Sequence, residues 1–271
     1  MNSDVLEVLA GGDLTVLGRV PTASNLALAC RVSDGDAEFM CVYKPIRGEA
    51  PLWDFPDGHL AGREVATYLI SDALGWDLVP ETVLRDDGPA DADLGPGMVQ
   101  RWIHVPDEPS GPDPVDLAPL DEIADDQMPV LHAYDEDGRL VALVHADRPD
   151  LLRLAVFDVV INNADRKGGH ILVDGDGHLY GIDHGICLHA ENKLRTVLWG
   201  WAGRPLPAES SDDLCRLAKR LADPDDVLTV RLRGLITDEE IAAVRRRARV
   251  LGDDGVLPMP PSERAIPWPP F

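Results

Sequence analysis

The sequence predicts an α+β chain: a β-rich first half with one helix, then a mostly helical second half. Three observations predict it. Up to residue 44, short apolar runs alternate at strand period between Pro, Asn, Asp and Gly turns. Over residues 60–74 the period changes to that of a single helix. Beyond residue 149 the apolar pattern is helical, except around one polar hairpin.

The elements follow in order. Residues 14–20 form an apolar run closed by the turn Pro21-Thr22-Ala23-Ser24-Asn25. Residues 26–32 predict a second strand, Ser33-Asp34-Gly35-Asp36 a hairpin turn, and residues 38–44 a third strand. After the Pro/Trp/Asp-rich loop 51–58, Val65 and Leu69, flanked by Ala61, Tyr68 and Leu74, mark one helical face ending near Gly75. Residues 81–84 and 97–103 predict further strands around an acidic loop. Residues 106–128, rich in Pro and Asp, predict a loop or linker. A hairpin is expected over 131–134 and 140–144, turning at Asp135-Glu136-Asp137-Gly138. Residues 149–160 predict an apolar helix, with Asp147 as its cap and Pro149 in its first turn. Helices are expected at 212–221 and 237–251, the second opened by a Thr237/Glu240 capping box. The Pro-rich tail, 258–271, reads as a packed strap or a mobile end.

Composition narrows the function. The hydrophobic fraction of 45% is that of a globular chain, and no apolar run reaches bilayer length. A net charge of −23 repels nucleic acid and anionic lipid, so neither is expected as a partner. The stretch Arg245-Arg246-Arg247-Ala248-Arg249 reads as a solvated helix face. The start MNSDVLEVLA lacks the basic flank and long apolar core of a secretory signal, so a cytoplasmic protein is expected. Cys30, Cys41, Cys187 and Cys215 form no CxxC pair and are expected as reduced thiols.

Chemistry concentrates in one segment. Asn162-Asn163-Ala164-Asp165-Arg166-Lys167-Gly168-Gly169-His170 follows the apolar helix and feeds a hairpin, 171–173 and 179–182, that ends in Ile182-Asp183-His184-Gly185. Such a loop and hairpin bring Asp165, His170 and Asp183 around one point. Phosphoryl transfer needs such a point: a carboxylate for the hydroxyl proton, and ligands that hold metal against phosphates.

On these residues the chain resembles the phosphatidylinositol 3-/4-kinase-like superfamily, as a small actinobacterial-type member. It is similar also to the HipA-type kinases and, more distantly, to the protein kinases. The resemblance implies a bilobal protein-kinase-like fold, with an N-lobe over 1–103 and a C-lobe over 104–271. Asp165-Arg166-Lys167 matches the start of the family's catalytic loop, which gives Asp165 the role of base. His170 stands where these kinases carry a metal-binding Asn, and Asp183 matches the metal-binding Asp of the Asp-Phe-Gly element. Lys44 is similar to the phosphate-binding lysine, with Glu64 as its ion-pair partner. The turn with Ser24 and Asn25 lies where the family covers the phosphates. Gln100 and Trp102 fall where the hinge grips adenine. The loop is neither GxGxxG nor a Walker loop.

The resemblance thus implies an ATP-dependent phosphotransferase using Mg2+ or Mn2+, acting on a protein hydroxyl or a soluble small alcohol, with autophosphorylation included. His170 in place of Asn points toward manganese, and toward loss of activity as it protonates below roughly pH 6.5. Three rivals stay open: nucleotidyl transfer, a nucleotide-binding pseudokinase with a regulatory role, and a metal-dependent hydrolase built on Asp165, His170, Asp183 and His184 or His189.

Overall fold

Period-two burial builds the first sheet. The structure is a computed structural model that describes residues 2–21, 25–108, 111–262 and 264–271. In it β1 (Asp13–Arg19), β2 (Leu28–Asp34), β3 (Ala37–Pro45), β4 (Thr82–Arg85) and β5 (Gly97–Arg101) form an antiparallel sheet in the order β1-β2-β3-β5-β4. Leu14, Cys30, Val32, Cys41, Tyr43 and Val99 share one face and pack on Val8 and Leu9 of α1 (Asn2–Gly11). Lys44 and Met98, cross-strand partners on β3 and β5, take the opposite face by the strand alternation, toward α2 (Leu60–Leu74).

Helix α1 lies outside the elements the sequence predicts. Its signal is Val5, Val8 and Leu9 at helical spacing, and Gly11-Gly12 stops it. A Cβ on Gly12 would sit 2.7 Å from the Val8 carbonyl oxygen and 2.8 Å from that of Ser33. Helix α2 is buried on nearly every side, not along a single stripe. The Glu49 carboxylate takes the Leu60 and Ala61 amides at its start, His59 Nδ1 accepts from Gly62 N, and Gly75 ends it at φ 68°.

The segment 106–128, expected as a loop, instead contributes β6 (Val115–Pro119) and the start of β7 (Gln127–Tyr134). Both flank β8 (Leu140–Ala146) in an antiparallel sheet. Proline hid the pattern, yet edge strands tolerate it: Pro119 ends β6, and Pro129 stands at the register shift of β7.

Helix α3 (Pro149–Ile161) begins with Pro149 in its first turn, but its cap residue is Arg148. Asp147 does not cap; its Oδ1 accepts from Trp201 Nε1 at 2.8 Å. After a short hairpin, β9 (Ile171–Val173) and β10 (Leu179–Gly181), come α4 (Ala208–Arg220), α5 (Val227–Arg233) and α6 (Asp238–Asp254). Helix α4 starts ahead of the predicted residue 212, and α5, capped by Asp226, was not predicted. The Thr237/Glu240 capping box of α6 forms as the sequence predicts. One core joins Leu69 and Leu74 of α2, Leu154 and Phe157 of α3, Leu217 of α4, Leu232 of α5 and Val244 of α6. Among the described residues no helix is long and apolar enough to cross a membrane.

Candidate active site

The loop after α3 is held by its own side chains. Asn162 ends the helix in the left-handed region at φ 54°, a conformation Asn tolerates. Its Nδ2 donates to the carbonyls of His189 and Glu191, and its Oδ1 accepts from Lys193 N. Asn163 Oδ1 accepts from Asp165 N at 2.9 Å, while its Nδ2 donates to Asp158 Oδ1. These bonds fix the main chain on which Asp165 stands.

Arg166 turns inward. It is fully buried and forms an ion pair with the equally buried Asp158, 3.0 Å from Nη2 to Oδ1. Nη1 donates to the carbonyls of His170 and Ile182, and Nη2 lies 2.6 Å from His184 Nε2. One guanidinium therefore ties α3, the 168–170 turn and the end of the β9–β10 hairpin together. Its fixed fork of donors suits that task. Burial, with the adjacent Arg166 cation, holds the His184 imidazole well below its ordinary pKa, so it accepts from Arg166 as a neutral ring.

Across from this loop, Lys44 Nζ lies 2.6 Å from Glu64 Oε1 and 2.8 Å from Asp183 Oδ1. The strand, the helix and the segment after the hairpin thus meet at one ammonium. Glu64 Oε2 also accepts from His184 N at 2.8 Å, so α2 grips the backbone beside Asp183. Asp183 itself sits at φ 61°, an uncommon conformation for a residue with a Cβ. Burial alone would lower the Lys44 amine, but the Glu64 and Asp183 carboxylates outweigh it and hold its pKa above the ordinary value. The Lys44 ammonium in turn holds Asp183 far below the usual carboxylate range, against desolvation.

His170 Nε2 lies 3.4 Å from Asp183 Oδ2, and its buried Nδ1 has no hydrogen-bond partner among the described residues. Burial pushes its pKa down to about 4, with the Asp183 carboxylate opposing. The protonation expected near pH 6.5 therefore moves to lower pH, and the ring is neutral at pH 7. Asp165 goes the other way: burial raises its carboxyl, with Lys167, 3.4 Å from Oδ2, pulling it back. Among the described residues no group of three or more His, Cys, Asp or Glu side chains could hold a metal by itself.

The remaining predicted residues are not at this point of convergence. Asn25 Oδ1 accepts from Ala50 N, and Ser24 lies outside the described residues. Gln100 is buried and spends its Nε2 on Thr82 Oγ1. Trp102 is partly exposed, and its amide donates to the Met40 carbonyl. Sequence reasoning missed Asp158, an isolated acid on an apolar helix, and Arg63 and Glu240, a buried ion pair at 2.6 Å. A lone charge inside an apolar run was the available signal for Asp158.

Comparison with known proteins bears on this arrangement. Residues 150–224 match the family described as phosphatidylinositol 3- and 4-kinase. Over 277 residues the chain is 53% identical to Protein Rv2133c of Mycobacterium tuberculosis, covering 100% of this chain and 97% of that protein. Among solved structures, the Golgi casein kinase with Mn/ADP bound superposes with a TM-score of 0.55 at 14% identity, over 93% of this chain and 74% of that one. The structure of hydra Fam20 with sugar gives 0.53 at 14% identity, over 93% and 87%. At that identity the likeness is one of fold, and the fold is the bilobal kinase-like one.

Proposed function

The chain belongs to the phosphatidylinositol 3-/4-kinase-like superfamily, in one family with Protein Rv2133c, and from that premise we propose that it is an ATP- and metal-dependent phosphotransferase. The observation that carries this reading is Lys44 held between Glu64 and Asp183 at the mouth of the loop bearing Asp165. A cation on a strand, an acid on the next helix and a carboxylate after a hairpin are the parts that position a nucleotide's phosphates.

In this reading residues 1–103 form the N-lobe and 104–271 the C-lobe, with the nucleotide between them. Lys44 neutralises phosphate oxygens and Glu64 orients Lys44. The acceptor oxygen bonds to the γ-phosphorus while its proton passes to the Asp165 carboxylate, whose raised pKa suits that task. The bond from that phosphorus to the bridging oxygen breaks, and ADP leaves. Lys167, beside Asp165, offers its ammonium to the transferring group, whereas Arg166 positions the loop from within.

The residues fit a divalent cation. Asp183 presents a half-exposed carboxylate and His170 a neutral imidazole, adjacent to each other, and these two side chains would hold Mg2+ or Mn2+. When bound, the cation neutralises charge developing on the phosphate oxygens. The imidazole donor favours Mn2+. A protein hydroxyl or a soluble alcohol is the acceptor that fits a net charge of −23, which opposes docking on nucleic acid or anionic membranes and suits a cytoplasmic setting.

Incubation with γ-labelled and with α-labelled ATP, with Mg2+ or Mn2+, tests the reading in wild type, Asp165→Ala and Asp183→Ala. Label transferred from γ alone, and lost in both variants, is the expected result. Transfer from α means nucleotidylation instead. Stabilisation by ATP without any labelled product means a binding module, and hydrolysis without nucleotide means a hydrolase.

A further inference from the structure

Arg63 and Glu64 are neighbours on α2, about 100° apart around the helix, that reach different partners. Glu64 faces the cleft, bound to Lys44 Nζ and to His184 N. Arg63 faces the helical half of the chain and is among the largest fully enclosed side chains, 2% exposed. Its Nη2 lies 2.6 Å from Glu240 Oε1 and donates to the Asp57 carbonyl at 3.0 Å; its Nη1 donates to the Cys187 carbonyl at 2.9 Å. The guanidinium also stands over the Phe55 ring.

Glu240 is fixed just as firmly. Its Oε2 accepts from Thr237 N and Thr237 Oγ1, the reciprocal bonds that open α6. One carboxylate therefore serves both the first turn of α6 and the cation of α2. Backbone packing adds an independent tie one residue earlier. A Cβ on Gly62 would lie 3.0 Å from the Leu235 carbonyl oxygen, so α2 presses directly on the turn ahead of α6. Consecutive residues Gly62, Arg63 and Glu64 thus touch the α5–α6 turn, α6 and the cleft.

Burying an ion pair costs desolvation, and apolar side chains of similar volume would fill the same space at no such cost. What the pair adds is direction. Glu240, the Cys187 carbonyl and the Asp57 carbonyl together fix the guanidinium, and with it the rotation of α2 about its axis.

We propose that Arg63 and Glu240 form a latch between α2 and α6 that holds Glu64 on Lys44, which makes them positioning residues for phosphoryl transfer. The catalytic consequence rests on the kinase reading. The structural consequence, sequestration of the Lys44 amine, does not.

Two readouts on the full chain separate these. The first is acetylation by the N-hydroxysuccinimide ester of acetic acid, followed by mass spectrometry at Lys44, with exposed Lys219 as internal reference. Glu240→Gln keeps the side-chain shape and an oxygen for Thr237 while removing the charge. In it Lys44 labels about tenfold faster, a change of the size expected when coupled neighbours are separated, and Lys219 labels as before. The second is ATP kinetics. KM for ATP rises by about tenfold while kcat per folded molecule falls less, because phosphate binding is what a displaced Lys44 loses. Arg63→Met behaves like Glu240→Gln, and Arg63→Lys recovers part of both readouts; if Arg63→Met does not fold, Glu240→Gln alone decides. A folded Glu240→Gln with Lys44 labelling at the wild-type rate overturns the latch. So does a parallel rise at Lys44 and Lys219, which means general loosening. A wild type that does not use ATP removes the kinase reading, yet the labelling of Lys44 still decides the latch.

Discussion

Lys44 and Asp183 stand 139 residues apart in the chain and 2.8 Å apart in space. Strand alternation on β3 sends Tyr43 into the core under α1 and Lys44 out toward α2. The β9–β10 hairpin and the bond from Ile182 N to the His170 carbonyl deliver Asp183 from the other side. Asp183 meets Lys44 from a left-handed conformation that costs a residue with a Cβ about 1 kcal/mol. The Glu64 bond to His184 N supports that turn. Strain held in place by hydrogen bonds beside a cluster of charged side chains is the pattern of a functional site.

Removing the cation tests the coupling. Lys44→Met leaves the Glu64 carboxylate, 2% exposed, without its partner, and destabilises the chain by about 2–4 kcal/mol. Adding Glu64→Gln recovers part of that loss, because the amide can accept from His184 N with no charge to compensate. Urea denaturation of both single variants and the double variant measures it. Additive losses would show that the two side chains do not act as a pair.

Asp158 and Arg166 give a sharper case, since neither side chain has any exposure. Asp158→Asn leaves a buried guanidinium uncompensated and costs about 3–5 kcal/mol in denaturation experiments. Replacing both, with Asp158→Leu and Arg166→Met, recovers only part of the stability, because Arg166 also satisfies the His170 and Ile182 carbonyls. Full recovery in the double variant would mean that those carbonyls find other partners.

The contrast between these sites explains what the sequence made legible. The segment 162–185 stood out because polar residues and glycines crowd an otherwise apolar stretch, and the resemblance it carries supplied the order Lys44, Glu64, Asp165, Asp183. Asp158 stayed hidden because its partner sits eight positions on, beyond the end of α3, where no helical spacing links them. Arg63 and Glu240 were illegible for another reason: charged residues on helices are normally solvated, and nothing local marks one that is enclosed. Gln100 shows the limit in strands. The resemblance placed it at a hinge by position, and its partner Thr82 on β4 is set by a sheet order that only the folded chain reveals.

Asp165 is expected to matter for chemistry far more than for stability. Among the described residues its ion pair is with Lys167 at 3.4 Å, so Asp165→Asn shifts the denaturation midpoint little. Loss of the proton acceptor lowers phosphoryl transfer by about 100- to 10,000-fold. Single-turnover rates with γ-labelled ATP check this, and an Asp165→Asn enzyme within a few-fold of wild type would remove Asp165 from the role of base.

His145 makes the fold acid-sensitive away from the cleft. It is fully enclosed on β8, stacks on Trp201, accepts from Gly200 N at Nε2 and sets Nδ1 against the Ala146 carbonyl. A Cβ on Gly200 would stand 2.5 Å from that Nε2, so the imidazole meets bare backbone. Burial pushes its pKa from the ordinary 6.5 down to about 4. The neutral ring is therefore the form the fold holds. Above pH 6.5 both folded and unfolded chains carry it neutral, and its stabilising effect is complete. As pH falls from 6.5 toward 4 the unfolded chain takes up the proton first, and stability drops by about 2–3 kcal/mol through this group. His145→Gln keeps an acceptor for Gly200 N but cannot titrate. Urea denaturation across pH 7 to 4 should show a shallower loss in that variant than in wild type, with the slope left by His170 and His184 intact. Identical slopes in the two proteins would mean that the His145 ring already protonates in the folded state at the ordinary pH.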